Sequence, residues 1–376
     1  VRDEPIEPVP VVDIEDLTEE EKAEFEKERS ELRDFVTGLS PDDLNSGNWF
    51  TKLIAQGLVT YTQKATWEYF QEKYKGVPAD AIVDQRIKMA TRYAALSGGL
   101  TASAYTGAVA ATIGSAGGAS PLTVPAAIVT LSVDLAFLTQ LQLRLAYDIA
   151  VLYRVPIDVN DPDDLWKLIR VAFTIKSGEV IGEGLLKLVP GAMRFAIKRF
   201  YSGAVLTAAR GLPYVGKFLL QRTVIKVMIP LVGIPLAIGI NFYTTLIAGK
   251  HARGVFRNEA RVVELAERLC EQSKHPRVML WVAWLVVTAD NKISDDEALL
   301  MRHLMTLVKD QHLVVDEQLA QLIDVDPAEV WRRVEAEPGD LTDVLEAARR
   351  VAAVDGVANA HEVAIILDLE GRCGQS

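Results

Sequence analysis

Two short segments near the C-terminus bring carboxylates and a capping residue together at one spacing. The first is Asp290-Asn291-Lys292-Ile293-Ser294-Asp295-Asp296-Glu297, the second Asp355-Gly356-Val357-Ala358-Asn359-Ala360-His361-Glu362. In each, an Asp is followed four residues later by Ser294 or Asn359, and three beyond that by Glu297 or Glu362. Oxygen donors of these kinds in one turn suit a hard divalent cation. Asp290, Ser294, Glu297, Asp355, Asn359 and Glu362 are therefore candidate metal ligands, with Ca²⁺ favoured. The same spacing is also that of a capping box, in which a Ser or Asn and a Glu satisfy the first N–H groups of a helix. Neither loop is an EF-hand: Lys292 and Val357 stand at third positions that need an oxygen, and the loops are too short.

Other chemistry is sparse. Gly211-Leu212-Pro213-Tyr214-Val215-Gly216-Lys217-Phe218 has the outline of a phosphate-binding loop. Phe218 stands where a Ser or Thr would hold Mg²⁺, and no strand precedes it, so it reads as a decoy. There is no nucleophile elbow, no His-Glu-x-x-His and no dinucleotide fingerprint. The five histidines are scattered, and Cys270 and Cys373 have no local acid–base partner. Two cysteines make neither a disulfide scaffold nor a four-cysteine zinc site. The reading is a non-enzymatic protein with no organic cofactor.

Charge is segregated along the chain. The net charge is −11, yet residues 184–258 hold no Asp or Glu. That stretch carries Lys187, Arg194, Lys198, Arg199, Arg210, Lys217, Arg222, Lys226, Lys250, Arg253 and Arg257, which leaves the remainder at −22. The neighbours of these cations are Leu, Val, Ile, Ala and Gly rather than the polar and aromatic side chains that read bases, which points away from nucleic acid. An anionic lipid surface fits better, each Lys or Arg near it being worth on the order of 1 kcal/mol.

The elements that must position these groups are helical throughout. Nowhere does a strand-like alternation persist, so the expected fold class is all-α. Residues 1–45 are acidic and open with a Pro-rich run, and read as a disordered tail with one charged helix over Thr18 to Arg33. Aromatic and aliphatic residues recur at helical spacing from Asn45 to Lys75, and after Gly76-Val77-Pro78 a second helix begins near Ala79. Tyr93 to Val133 follows, 41 residues without a charge, in which Gly98-Gly99, Gly117-Gly118, Pro121 and Pro125 predict breaks. Phe137 to Arg154 reads as a strong helix with Arg144 and Asp148 paired at i,i+4, and Asn160 to Asp164 as the start of another. Val227 to Gly249 is a second uncharged stretch of 23 residues, long enough to cross a bilayer as one helix, although Pro230, Gly233, Pro235 and Gly239 argue against a straight span. Helices are expected over Glu259 to Gln272, Val278 to Ala289 and Leu341 to Val354. At 376 residues and a mean hydropathy of +0.15 the chain has ample apolar material for more than one core.

Two regions resemble known families. Residues from about 79 to 258 resemble the EcsC family, through Ser97-Gly98-Gly99-Leu100, the Pro125…Asp134…Gln140…Arg144 helix, Val189-Pro190-Gly191, Ile229-Pro230-Leu231-Val232-Gly233 and Ile247-Ala248-Gly249-Lys250-His251-Ala252-Arg253. The family usually has a Gly-Gly pair and an Asp between Gly233 and Asn241; here Ile234 and Pro235 follow Gly233, and Asn241 stands near the acid's place. The resemblance implies a bacterial, helical, membrane-associated protein. Residues from about 268 to 376 resemble the TerB-like domain of tellurite-resistance systems, through Ala289-Asp290-Asn291-Lys292-Ile293-Ser294-Asp295-Asp296-Glu297 and Val354-Asp355-Gly356…Glu362. That resemblance implies a helical bundle built on two helix–turn–helix halves, divalent-cation binding and complexes at the inner membrane face.

The expected organisation is an acidic tail (1–45), a Gly/Ala-rich, membrane-associated helical domain (46–258), a connecting helix and linker (259–277) and an acidic helical domain (278–376). The expected function is non-enzymatic, at the cytoplasmic face of a membrane and in envelope or stress response. The first domain would hold anionic lipid or a hydrophobic ligand; the second would hold a divalent cation or dock a partner protein. The alternatives are an integral membrane component of a transport or stress complex, and a lipid-modifying enzyme marked by Asp134, Arg144 and Asn241 clustered in a cavity.

Overall fold

The computed structural model describes residues 17–114, 120–174, 213, 215–217, 219, 233–290, 293–312 and 326–373. Among them the regular elements are all helical, as the sequence predicts. They fall into two compact units that divide after Phe256.

The first unit opens with α1 (Glu19–Thr37). Thr18 and Glu21 form a capping box, with the Glu21 N–H donating to Thr18 Oγ1 at 3.2 Å and the Thr18 N–H to Glu21 Oε2 at 2.9 Å. Phe25, Leu32 and Val36 are buried, and α1 packs on α7. The disordered tail expected over 1–45 is thus corrected from Leu17 onward: a single apolar stripe within an acidic composition is enough to dock a helix. Short helices follow as α2 (Pro41–Ser46), α3 (Asn48–Leu53), α4 (Val59–Thr62) and α5 (Trp67–Lys73), with a π-helical turn at Ile54–Leu58 between α3 and α4. Gly57 in that turn faces Gln140: a Cβ there would lie 2.1 Å from Gln140 Nε2.

Two long helices make the body of the unit, α6 (Ala79–Gly114) and α7 (Ser120–Leu152). The breaks expected at Gly98-Gly99, Pro121 and Pro125 do not occur in these helices. Gly98 and Gly99 sit inside α6, where Gly99 lets Ile238 approach to 3.3 Å of where a Cβ would be. Pro121 falls in the first turn of α7, where no intrahelical N–H bond is lost. Helix α8 (Pro162–Ala172) starts at Asp161, whose side chain accepts from the N–H groups of Asp163 and Asp164. Helix α9 (Gly233–Gln272) then contributes residues up to Phe256 to this unit. Of the uncharged stretch Val227 to Gly249, residues 227–232 lie outside the described residues, and the rest is helical. The helix runs on without a break through Lys250, and Pro235 lies in its first turn. Where α9 crosses α6 and α7 the fit is close, a Cβ on Gly249 falling 2.9 Å from Ile87 and 3.2 Å from Leu145. Gly216, inside the phosphate-loop decoy, has a packing role, since a Cβ there would sit 2.3 Å from the carbonyl oxygen of Gly47, itself left-handed at φ 83°.

The second unit is arranged about α10 (Pro276–Val287), which is buried from Val278 to Val287. A helix apolar on all sides has to be surrounded. Its neighbours are α11 (Asp295–His312), α12 (Pro327–Ala336), α13 (Thr342–Ala352) and α14 (Ala360–Cys373). α10–α11 and α13–α14 are two helix–turn–helix halves, each turning through one of the acidic loops.

Candidate functional site

The two acidic loops meet. Asn359 Nδ2 donates to Asp290 Oδ2 at 3.3 Å, joining segments 69 residues apart. Each loop also forms the capping box that its spacing predicts. The Ser294 N–H donates to Glu297 Oε2 at 2.7 Å and the Glu297 N–H to Ser294 Oγ at 3.2 Å. The Asn359 N–H donates to Glu362 Oε2 at 2.7 Å and the Glu362 N–H to Asn359 Oδ1 at 3.1 Å. Glu297 and Glu362 are buried, whereas Asp355 is exposed. Burial raises the Glu297 carboxyl above its usual range, and the charges of Asp355 and Glu362 raise it further against the pull of Ser294. The six candidate ligands are thus in one region, but Ser294, Glu297, Asn359 and Glu362 turn their oxygens to their own helix starts. Among the described residues no three His, Cys, Asp or Glu side chains are arranged to hold a metal ion.

In the first unit, polar groups cross an apolar core at two levels that local spacing did not reveal. At the lower level Asp148, fully buried, accepts from Arg86 Nε at 2.8 Å and from the Tyr61 hydroxyl at 2.7 Å. Burial opposes the charge on Arg86, and the Asp148 carboxylate outweighs it, so the guanidinium is held above its ordinary value. The i,i+4 pair expected between Arg144 and Asp148 is corrected: Arg144 pairs instead with Glu28 of α1, and its guanidinium lies 4.8 Å over the Tyr61 ring. Tertiary partners with better geometry win over the helix neighbour. Arg86, Tyr61 and Glu28 had no motif to mark them, and Asp148 was marked only as a helix neighbour of Arg144. The one available sign was a charge on the apolar face of a long helix.

At the upper level Asp134 accepts from the Ser97 hydroxyl and from Asn241 Nδ2, the latter at 3.4 Å, and Arg29 reaches Ser97 at 3.4 Å. Burial raises the Asp134 carboxyl despite these donors. Asp134 and Asn241 therefore meet, as the enzymatic alternative required, but Arg144 stands ten residues further along α7, about 15 Å away, and engages α1.

Beyond Asp134 the helices carry no charge. α6 has none from Tyr93 to its end, α7 none from Ser120 to Val133, and α9 none from Gly233 to Gly249. The Ser97–Asp134 and Asp134–Asn241 bonds put α6 after Ser97, α7 before Asp134 and α9 before Asn241 at one end of the bundle, while α9 runs back from Asn241 to Gly249 beside Ile87 and Leu145. Measured from Asp134, the α6–α7 hairpin continues for about 20–25 Å. Phe25 against Tyr93, and Arg29 against Ser97, show α1 running alongside in the direction of α6; it stops at Thr37, about 14 Å short of the hairpin's end.

Family models, characterised proteins and solved structures offer no match to this chain. The two family resemblances thus rest on the residues that suggested them. Of the basic residues, Lys217 and Lys250 are exposed, Arg253 pairs with Asp84 at 2.6 Å and Arg257 is exposed at the start of the second unit. Lys187, Arg194, Lys198, Arg199, Arg210, Arg222 and Lys226 lie outside the described residues.

Proposed function

We propose that this chain is a non-enzymatic protein of the cytoplasmic membrane face, and that the α6–α7 hairpin enters lipid end-on. The observation that carries this reading is the charge-free end shared by α6, α7 and α9 beyond Asp134. The hairpin projects past α1 by about 14 Å, close to the hydrocarbon depth of one leaflet and well short of the full core of about 30 Å. The basic, apolar composition of residues 184–258 adds attraction to anionic headgroups. EcsC-like and TerB-like family membership agrees with this reading and belongs to the same proposal. The cation and partner-protein readings of the acidic loops have less support, because most of their donors are engaged in caps.

Liposome flotation of the full-length protein tests it. The expected result is binding to anionic vesicles, weakened by salt, and little binding to neutral ones. Flotation on neither vesicle would sink the proposal. Arms with Ca²⁺ and with chelator test the cation reading directly.

A further inference from the structure

Among the described residues seven large apolar side chains are exposed, and three of them fall within eleven residues on or just before α14. They are Val357 at 92%, Val363 at 40% and Leu367 at 59% exposure. At 3.6 residues per turn, Ala360, Ala364, Leu367 and Gly371 share one line along the helix, about 17 Å long, with Val363 beside it. All five are exposed, and nothing lies within 4 Å of where a Gly371 Cβ would be. The opposite face, through Leu369, is buried in the core of the second unit. Helix α14 thus has two apolar faces, of which the fold covers one. Steps of four, three and four residues are those of a coiled-coil seam.

The charges beside the seam say what fits it. On one side stand His361 and Asp368, both exposed. Asp368 Oδ1 accepts from Arg372 Nε at 3.0 Å, and Arg372 also pairs with Glu335. On the other side Glu370 is held by Arg349. Let a second copy of α14 lie antiparallel on the first, with a two-fold axis at the Ile365–Ile366 peptide. Leu367 of each copy then meets Ala364 of the other, a large side chain against a small one. Ala360 meets Gly371, which lets the backbones approach at both ends of the seam. His361 of each copy comes beside Asp368 of the other, and an imidazole N–H can donate to that carboxylate whether or not the ring is charged. A parallel pair would instead set Asp368 against Asp368, so charge selects the antiparallel arrangement.

We propose that α14 is a self-association surface, and that two copies of this chain join through antiparallel α14 helices in a symmetric dimer. A single helix pair lies at the small end of protein interfaces, below about 1,200 Å², so the dimer is reversible and forms with rising concentration. The inference concerns the second unit and does not rest on entry of the hairpin into lipid.

Sedimentation equilibrium of the full-length protein, across the micromolar to submillimolar range, tests it. The wild type should pass from monomer to dimer. Leu367→Glu and Ala364→Glu each put a charge into the seam, and each should raise the dissociation constant by about tenfold or more. Both positions are exposed in the monomer, so at concentrations where the wild type is monomeric the two variants should melt as it does. The flanking pair reports the orientation. His361→Asp should weaken the dimer roughly fivefold, and Asp368→Lys added to it should restore the strength with the charges exchanged. A monomer at every concentration, or a dimer that Leu367→Glu leaves intact, overturns the proposal. So does a clear fall in the melting temperature of the two seam variants as monomers, since the chain itself would then cover this face. Failure of the exchanged pair to restore binding overturns the antiparallel arrangement.

Discussion

Asp343 shows how one residue ties the second unit together. It lies in the first turn of α13, yet it fixes the entry to α10: its carboxylate accepts from the N–H groups of Lys274 at 2.7 Å and His275 at 3.1 Å, just ahead of that helix, and meets His275 Nδ1 at 3.0 Å. His275, at the N-cap position of α10, gives that helix no side-chain cap of its own. Burial would raise the Asp343 carboxyl, but these donors outweigh it and hold it below its usual value. A depressed carboxylate contributes stability that is present above its unfolded value, about 3.9, and lost as pH falls through the folded one. Asp343→Ala should therefore destabilise the protein by about 1–2 kcal/mol at pH 7, with a smaller gap between variant and wild type at pH 3, read from denaturant melts at both. The caps at Ser294 and Asn359 were legible because capping is local, three residues from donor to acceptor. Asp343 was not, because 68 residues separate it from His275, whose N–H it holds.

At the scale of the element, helix starts and the break at Gly76-Val77-Pro78 could be read, the breaks expected at Gly98-Gly99, Pro121 and Pro125 could not, and Gly117-Gly118 lies outside the described residues. The starts at Ala79 and Pro162 follow from Pro and Asp chemistry that acts within one turn. Gly98-Gly99 predicts a break on propensity, a penalty of about 1 kcal/mol per glycine. The structure keeps the helix because the missing side chains allow α6 and α9 to approach. The same account predicts a contrast along α9. Gly249→Leu forces a side chain against Ile87 and Leu145 and should cost about 1–3 kcal/mol. Gly254→Ala meets nothing within 4 Å and should stabilise by about 0.5–1 kcal/mol. Chemical denaturation of the two variants checks both signs.

For the whole molecule, the question is whether any helix crosses a bilayer. Among the described residues one segment, Val129–Leu152 in α7, is long and apolar enough. It carries Asp134, Arg144 and Asp148, and each finds a partner inside the first unit. That is the pattern of a core helix, and alkaline carbonate should release the protein from membranes; retention in the pellet would favour the integral alternative. The sequence by itself determined the all-helical class, the capping boxes, the segregation of charge and the uncharged stretches, because each depends on composition or on residues within a turn of one another. Tertiary structure alone decided that Arg144 answers to Glu28 and Asp148 to Arg86, that glycines serve as crossing points, and that Asn359 joins Asp290. Buried charges and close helix contacts are satisfied by whatever group the fold brings nearest, and distance along the chain does not say which group that is.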